Sequence, residues 1–445
     1  MESLTVRHFL RGADGYEQAR RAAVWNGRLP DRFPDVIVQA EDAEDVVAAM
    51  RYAAQHDYQV GVRSGGHSWA GSHLRDGGML LDVSRLDDCV VESERMMAVV
   101  GPGKVGSDLA KELDGQGLFF PAGHCEGICV GGYLLQGGYG WHSRVVGPAC
   151  ESVIGIDVVT ADGEKLYCDP DNNAELYWAA RGSGPGFFAV VTSFHLRLHP
   201  RPPVCGSCLY IYPVEAVDDV FTWAVSISPE IDDRVELQII TSKNLPALGL
   251  DQPSIVVSSP AFADTEEEAQ QALSILGTCP ALDKAIINLP YATTDLSGWY
   301  GAVMSNYPAG HRYAADNMWT SASAEDLLPG IHRIIETMPP PPSHFLTYNW
   351  SPSPSRTGLF YGLEAEFNLA LYAVWQDPAE DEAMIDWPTS NMAAMAHLSS
   401  GIGLADENLG RRPAKFAADE HMARLDRIRA TYDPDGRFHS WMGRC

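Results

Sequence analysis

The chain has no apolar run approaching the roughly 18 residues that a membrane-spanning helix needs. It is also short of positive charge, with 32 Lys and Arg against 59 Asp and Glu and a formal charge of −27 over 445 residues. The first shortage excludes a spanning helix. The second excludes nucleic acid and anionic lipid surfaces as partners, because such a field repels phosphate. Cysteine is sparse too: nine residues, scattered from Cys89 to Cys445, are too dispersed for a disulfide scaffold. Cys205 and Cys208 form a single CxxC in "VCGSCLYIYP". With no second pair at finger spacing it is a weak metal signal, and a thioredoxin-like role needs the motif to open a helix rather than a strand. Small residues at the head of a strand are expected there, and no metal site. The opening "MESLTVRHFLRGADGYEQARR" lacks an apolar signal core, so a cytoplasmic protein is expected.

What is present is an ordinary globular composition, 45% hydrophobic and 20% charged, in a chain long enough for two or three domains. Residues 36–63 read as a strand, a helix with Val46, Val47, Met50 and Ala53 at helical spacing, and a second strand "QVGVRS". Strands follow at 78–84 and 96–103, a helix at about 104–116, a hairpin arm at 154–164 and a strand at 187–198. Three prolines in "LHPRPPVCG" (198–206) mark a boundary. Beyond it, strand-like runs ("SCLYIYP", "VELQII", "SIVVSS", "NLALYAVW") alternate with helical patterns, which reads as an antiparallel sheet covered by helices. "FAADEHMARLDRIRATYDPDGRFH" is an amphipathic helix stopped by Pro434. The fold class expected is α+β.

Two glycine-rich stretches stand out. "GVRSGGHSWAG" (61–71) places His67 among four glycines after a strand, and "PAGHCEGICVGGYLLQGGYG" (121–140) places Cys125 ahead of a run with seven glycines between 123 and 140. Glycine adopts positive φ and lets backbone N–H groups approach a ligand, as a phosphate or pyrophosphate requires. The spacing is not strand-GxGxxG-helix, so a Rossmann turn is excluded. Either the loops cradle a ligand or they are bends without one, and His67 or Cys125 alone could be a packed residue.

Taken together, "GVRSGGHSWAG", "PAGHCEGICVGGYLLQGGYGW", "LYWAARGSGPGFFAVVTSFHLRLHP" and "RATYDPDGRFH" resemble the berberine-bridge-enzyme-like branch of the vanillyl-alcohol-oxidase flavoproteins. The resemblance implies an FAD-binding domain of two subdomains over 1–205, a substrate domain over 206–400, and a segment 401–445 returning to the first domain. It implies FAD attached twice, by His67 to the 8α-methyl and by Cys125 to ring position 6. A neutral imidazole suits the first bond, and an accessible, activated thiol the second. Arg63, Ser64, Gly65, Gly66 and Ser68 are expected along the pyrophosphate, and Gly131, Gly132 and Gly137 near the flavin or its ribityl chain. Cys129 is expected to be a packed thiol, and Tyr133 to tune the flavin.

The activity implied is oxidation of an alcohol to a carbonyl by hydride transfer to flavin N5, with oxygen reoxidising the flavin to give peroxide. Oxidation of an amine or N-heterocycle, an oxidative cyclisation, and a flavin-binding protein without turnover are the alternatives. A base must take the hydroxyl or amine proton. Tyr139 is the leading candidate, with Tyr348 and Asp316 next and Tyr313 and Glu364 behind them. The family's second active-site tyrosine has no counterpart, since "SSGIGLADENLGRRP" (399–413) contains none. Ile128, three residues after Cys125, stands where a bulkier side chain hinders oxygen, so electrons could pass to another acceptor. Trp299, Tyr300, Trp319 and Trp350 could line a substrate pocket.

Overall fold

The computed structural model describes residues 4–350 and 358–444. The first half builds two sheets. Strands His8–Leu10, Val36–Gln39, Met79–Asp82 and Val60–Arg63 lie in that order, with Met79–Asp82 inserted in parallel between the two strands of the expected βαβ unit. The connecting helix Ala43–Gln55 starts where Asp42 accepts the Asp45 N–H, a cap worth about 1 kcal/mol. Its Val46, Val47, Met50 and Ala53 are buried, as their spacing requires. The second sheet is antiparallel, in the order Cys89–Glu92, Met97–Val100, Val190–Arg197, Val153–Val159, Lys165–Cys168. One hydrophobic core joins the two sheets.

From Val204 onward the chain builds a seven-stranded antiparallel sheet: Ile287–Thr294, Val204–Pro213, Ser254–Ala263, Gln238–Ser242, His344–Asn349, Phe367–Trp375, Arg312–Thr320. The two-residue side-chain period decides what each face does. Ile239, Phe345, Leu369, Leu371 and Ala373 pack under helices Val217–Ile227, Ala324–Thr337 and Asp381–Ala394. Gln238, Ile240, Leu346, Tyr348 and Tyr372 point the other way, toward the first half of the molecule. This is an α+β fold, the class expected from the sequence. The CxxC lies in Val204–Pro213, as expected for the head of a strand.

The C-terminal residues return to the first sheets. Helix Asp419–Tyr432 packs on helix Ala174–Ala180. Phe438 then pairs in parallel with Val60: Val60 N–H donates to Arg437 O (2.7 Å) and His439 N–H to Val60 O (3.1 Å). Trp441, buried, donates from Nε1 to Ser183 O at 2.9 Å.

Candidate functional site

Strand Val60–Arg63 delivers the first glycine-rich stretch to the space between the two halves. At Gly66 the backbone has φ +72°, and a Cβ would lie 2.2 Å from Ala23 O, so only glycine fits the turn. Arg63 does not extend freely. Its guanidinium pairs with Asp82 at 2.8 Å and reaches Ala22 O and Gly65 O, bracing the loop. His67 stacks on Trp25 with centroids 4.9 Å apart, and its ring lies against Gly127, two residues after Cys125, where a Cβ would sit 3.4 Å from Nε2. Burial, with Arg63 second, lowers His67 to about 4, which keeps the imidazole neutral.

The second stretch locks onto the first. Gly132 N–H donates to Ser64 Oγ at 3.2 Å, and a Cβ on Gly65 would sit 3.1 Å from Cys129. Cys129 is buried with Sγ donating to Gly103 O, a packed thiol. Cys125 faces the opposite side, against the cluster formed by Tyr307, Tyr313 and Tyr372. Burial and then Asp406 push its thiol up to about 12. The activated thiolate expected from the sequence is therefore disfavoured in the protein alone, because Asp406 adds negative charge where a cation would be needed.

The loops, the seven-stranded sheet and the C-terminal Phe438–Ser440 enclose one cavity of about 360 Å³, a volume typical of small-molecule sites. His67 and Cys125 both border it. Arg63, Ser64, Gly65, Gly66, Ser68, Gly131, Gly132 and Tyr133 also border it. Tyr133 donates to Pro121 O at 2.5 Å, tying its ring across the loop. Gly137 does not line the cavity: it has φ +106°, and a Cβ there would strike Tyr361.

The three base candidates separate. Tyr139 borders the cavity between Trp319 and Trp350, and its hydroxyl donates to Glu364 at 3.2 Å. Tyr348 borders it from the sheet, and burial raises its phenol well above 10. Asp316 does not reach the cavity. Its strand neighbours Ala314 and Met318 lie in the helix-side core, so the carboxylate points to the far face, where Arg412 and Asn408 bind it. Tyr313 is also set back, stacked on Trp25, and Trp299 and Tyr300 pack around Trp141.

The sequence reading missed the group with the clearest base geometry. Asp406 borders the cavity and its carboxylate receives Trp69 Nε1–H on Oδ1 (2.6 Å) and Tyr372 O–H on Oδ2 (3.0 Å). Burial raises its pKa, and its two hydrogen bonds oppose that rise. It lies in "SSGIGLADENLGRRP", the segment scanned for a tyrosine; asking there for any proton acceptor would have found it. A second missed pair is His124 with Glu236, 3.1 Å apart at the cavity wall, where Glu236 also accepts the His142 N–H.

A large, partly polar ligand fits this space. Several buried polar atoms of its lining residues have no hydrogen-bond partner among the described residues: Arg63 Nε, His439 Nε2, Gln238 Nε2, Asn349 Oδ1, and the indole nitrogens of Trp319 and Trp350. Orphans of this kind cost free energy unless a ligand or water meets them. Known proteins name the ligand class. A family model described as an FAD binding domain matches residues 34–169. FAD-linked oxidoreductase nodO of Hypoxylon pulicicidum is 33% identical over 436 residues, covering 96% of this chain and 94% of that protein. Among solved structures, 6-hydroxy-D-nicotine oxidase from Arthrobacter nicotinovorans superposes with a TM-score of 0.84 at 23% identity, covering 98% of this chain and 97% of that one. Wild-type Phl p 4.0202, a glucose dehydrogenase, gives 0.80 at 18% identity over 98% and 96%. An isoleucine-to-valine variant of Phl p 4, a glucose oxidase, gives 0.81 with the same identity and coverage.

Proposed function

The chain belongs to the FAD-linked oxidoreductases of the berberine-bridge-enzyme-like group, within the vanillyl-alcohol-oxidase superfamily, and from that premise we propose that it oxidises an alcohol to a carbonyl with FAD tethered through both His67 and Cys125. One observation carries the reading. The His67 and Cys125 loops meet at the His67–Gly127 contact, and Asp406 borders the same cavity with its carboxylate held by two donors.

Bound there, FAD supplies a two-electron acceptor for the substrate's hydride. The protein does the rest. Neutral His67 offers a ring nitrogen for one tether, with its plane fixed by Trp25. Cys125 offers a sulfur for the second. Backbone N–H groups of the Ser64–Ser68 segment suit a pyrophosphate, whereas those of Gly131 and Gly132 are already given to Pro102 O and Ser64 Oγ. Asp406 takes the hydroxyl proton of the substrate. This is the step an alcohol needs and a neutral amine does not, and a carboxylate already oriented by Trp69 and Tyr372 is placed for it. Ile240, Leu346 and Tyr348 supply an apolar wall from the sheet face.

Anaerobic mixing with a panel of alcohols, set against a panel of amines, tests this. Alcohols should bleach the flavin, and Asp406→Asn should slow bleaching by about 10²–10⁴-fold while leaving the protein yellow. Bleaching by amines alone, or an unaffected Asp406→Asn, would overturn the reading.

A second reading concerns the electron acceptor. Ile128 borders the cavity three residues after Cys125, and Phl p 4 is a glucose dehydrogenase that becomes a glucose oxidase in an isoleucine-to-valine variant. A dehydrogenase passing electrons to an acceptor other than oxygen is supported by that likeness. Ile128→Val should then raise peroxide formation under air by at least roughly tenfold, with the anaerobic reduction rate unchanged. Equal peroxide yields from both proteins would return oxygen as the native acceptor.

A further inference from the structure

The loops that carry His67 and Cys125 are braced from different halves of the molecule. The hydrogen bonds that hold the approach to His67 come from the first half. Arg63 pairs with Asp82 and reaches Ala22 O, and Trp25 N–H donates to Gly66 O at 3.0 Å. Next to Cys125 the support is His124, whose Nε2 lies 3.1 Å from Oε2 of Glu236, a residue of the second half. A carboxylate accepts and does not donate, so this ring nitrogen carries the hydrogen.

Glu236 grips two segments at once, since its Oε1 accepts the His142 N–H. Those segments are already paired with each other: Gly123 and Gly140 form a bridge, and Trp141 N–H donates to Ala122 O at 3.1 Å. The Trp141 ring meets His124 edge-on with centroids 4.3 Å apart. Cys125 follows His124 on one segment, and Tyr139 precedes Gly140 on the other. The carboxylate is itself fixed. Glu236 N–H donates to Pro260 O at 3.1 Å, and Arg144 donates from Nη1 to Asp232 O (3.0 Å) and from Nη2 to Ile231 O (3.2 Å). Glu236 is 5% exposed, so water does not replace these contacts.

Cys125 depends on placement because charge does not activate it: burial and then Asp406 hold its thiol at about 12. Reacting atoms must come within about 3–3.5 Å, and about 1 Å of misplacement can slow a reaction about 10²-fold. We propose that Glu236 is a positioning residue through which the second half of the molecule sets the place of the Cys125 sulfur, so that the second flavin tether depends on it and the first does not. The proposal rests on FAD being tethered at both residues, as read above. In the net reaction the thiol and ring carbon 6 each lose a hydrogen, a sulfur–carbon bond forms, and dioxygen takes both hydrogens with their two electrons as hydrogen peroxide. Removing a carboxylate near a thiol eases its ionisation, so a slower bond without Glu236 is an effect of placement and not of charge.

The test follows both tethers in full-length apoprotein given FAD under air, with peptide mass mapping at timed intervals. Flavin on the His67 peptide alone is separated from flavin that cross-links the His67 and Cys125 peptides. Glu236→Ala should load His67 at the wild-type rate and close the bond to Cys125 about 10–100-fold more slowly. His124→Ala keeps the Glu236–His142 bond and should slow the same step by up to about tenfold. Glu236→Gln should restore most of the rate, because its side-chain oxygen still accepts the His142 N–H and its amide N–H faces the other tautomer of His124. A Cys125 bond that closes at the wild-type rate in both Glu236→Ala and His124→Ala would overturn the positioning role. Glu236→Gln as slow as Glu236→Ala would overturn it too, in favour of a proton transfer that needs the carboxylate's charge. Wild type with flavin on one peptide only would overturn the earlier reading of two tethers as well.

Discussion

At the residue scale, His67 and Cys125 stand in opposite electrostatic conditions, and their chemistry should differ accordingly. Burial beside Arg63 holds His67 at about 4, so its imidazole is neutral across the working range. Burial beside Asp406 holds Cys125 at about 12, so only a minute fraction is thiolate near neutrality. In apoprotein from riboflavin-starved cells given FAD, Cys125→Ala should still acquire flavin on the His67 peptide, at a rate insensitive to pH above about 6. His67→Ala should acquire it on the Cys125 peptide slowly, with the rate rising about tenfold per pH unit between roughly pH 7 and 9, as the thiolate fraction does. Peptide mass mapping reads both. A pH-independent rate in His67→Ala would mean that the thiol is deprotonated by a neighbour, and His124, held by Glu236 at 3.1 Å, is the first to examine.

At the scale of elements, strands and helices were legible wherever a two- or 3.6-residue period survives intact. The helix Ala43–Gln55, the strands Val36–Gln39 and Val60–Arg63, and the terminal helix Asp419–Tyr432 are such cases. The strand Arg312–Thr320 escaped because "RYAADNMWT" buries Asp316 and Asn317, which read as loop residues until Arg412, Gly403 O and Asp406 O are seen to satisfy them. Ile287–Thr294 escaped because Pro290 interrupts it, tolerable at the sheet's edge. His67, Cys125 and their loops were legible from composition and likeness. Asp406, Trp25 and His344 were not, because each reaches the site only through long-range packing. The returning C-terminal segment is also an element-scale feature, and Trp441 is its anchor, buried and donating to Ser183 O. Trp441→Ala should cost about 3–5 kcal/mol of stability by denaturant unfolding. Flavin retention should also weaken, since neighbouring His439 and Ser440 border the cavity. A loss below about 1 kcal/mol would show that this segment is not held by its tryptophan.

For the whole molecule, the decisive fact is where the cavity sits. One core lies under the first two sheets and another under the helices of the seven-stranded sheet, and the cavity takes its walls from both sides. A ligand filling it touches both halves. Binding to the native state alone therefore raises stability by mass action, by about 2.7 kcal/mol when free ligand is 100 times its dissociation constant. Covalent tethering removes that dependence, because the ligand cannot leave on dilution. In the double variant His67→Ala/Cys125→Ala, the melting midpoint should climb steadily with added FAD, whereas the tethered wild type should melt at one temperature whatever FAD is added. The double variant should also lose its yellow colour on acid precipitation, while each single variant keeps it. A wild-type midpoint that rises with free FAD would show that the cofactor is exchanging, and a double variant indifferent to FAD would show that the two halves hold together without it.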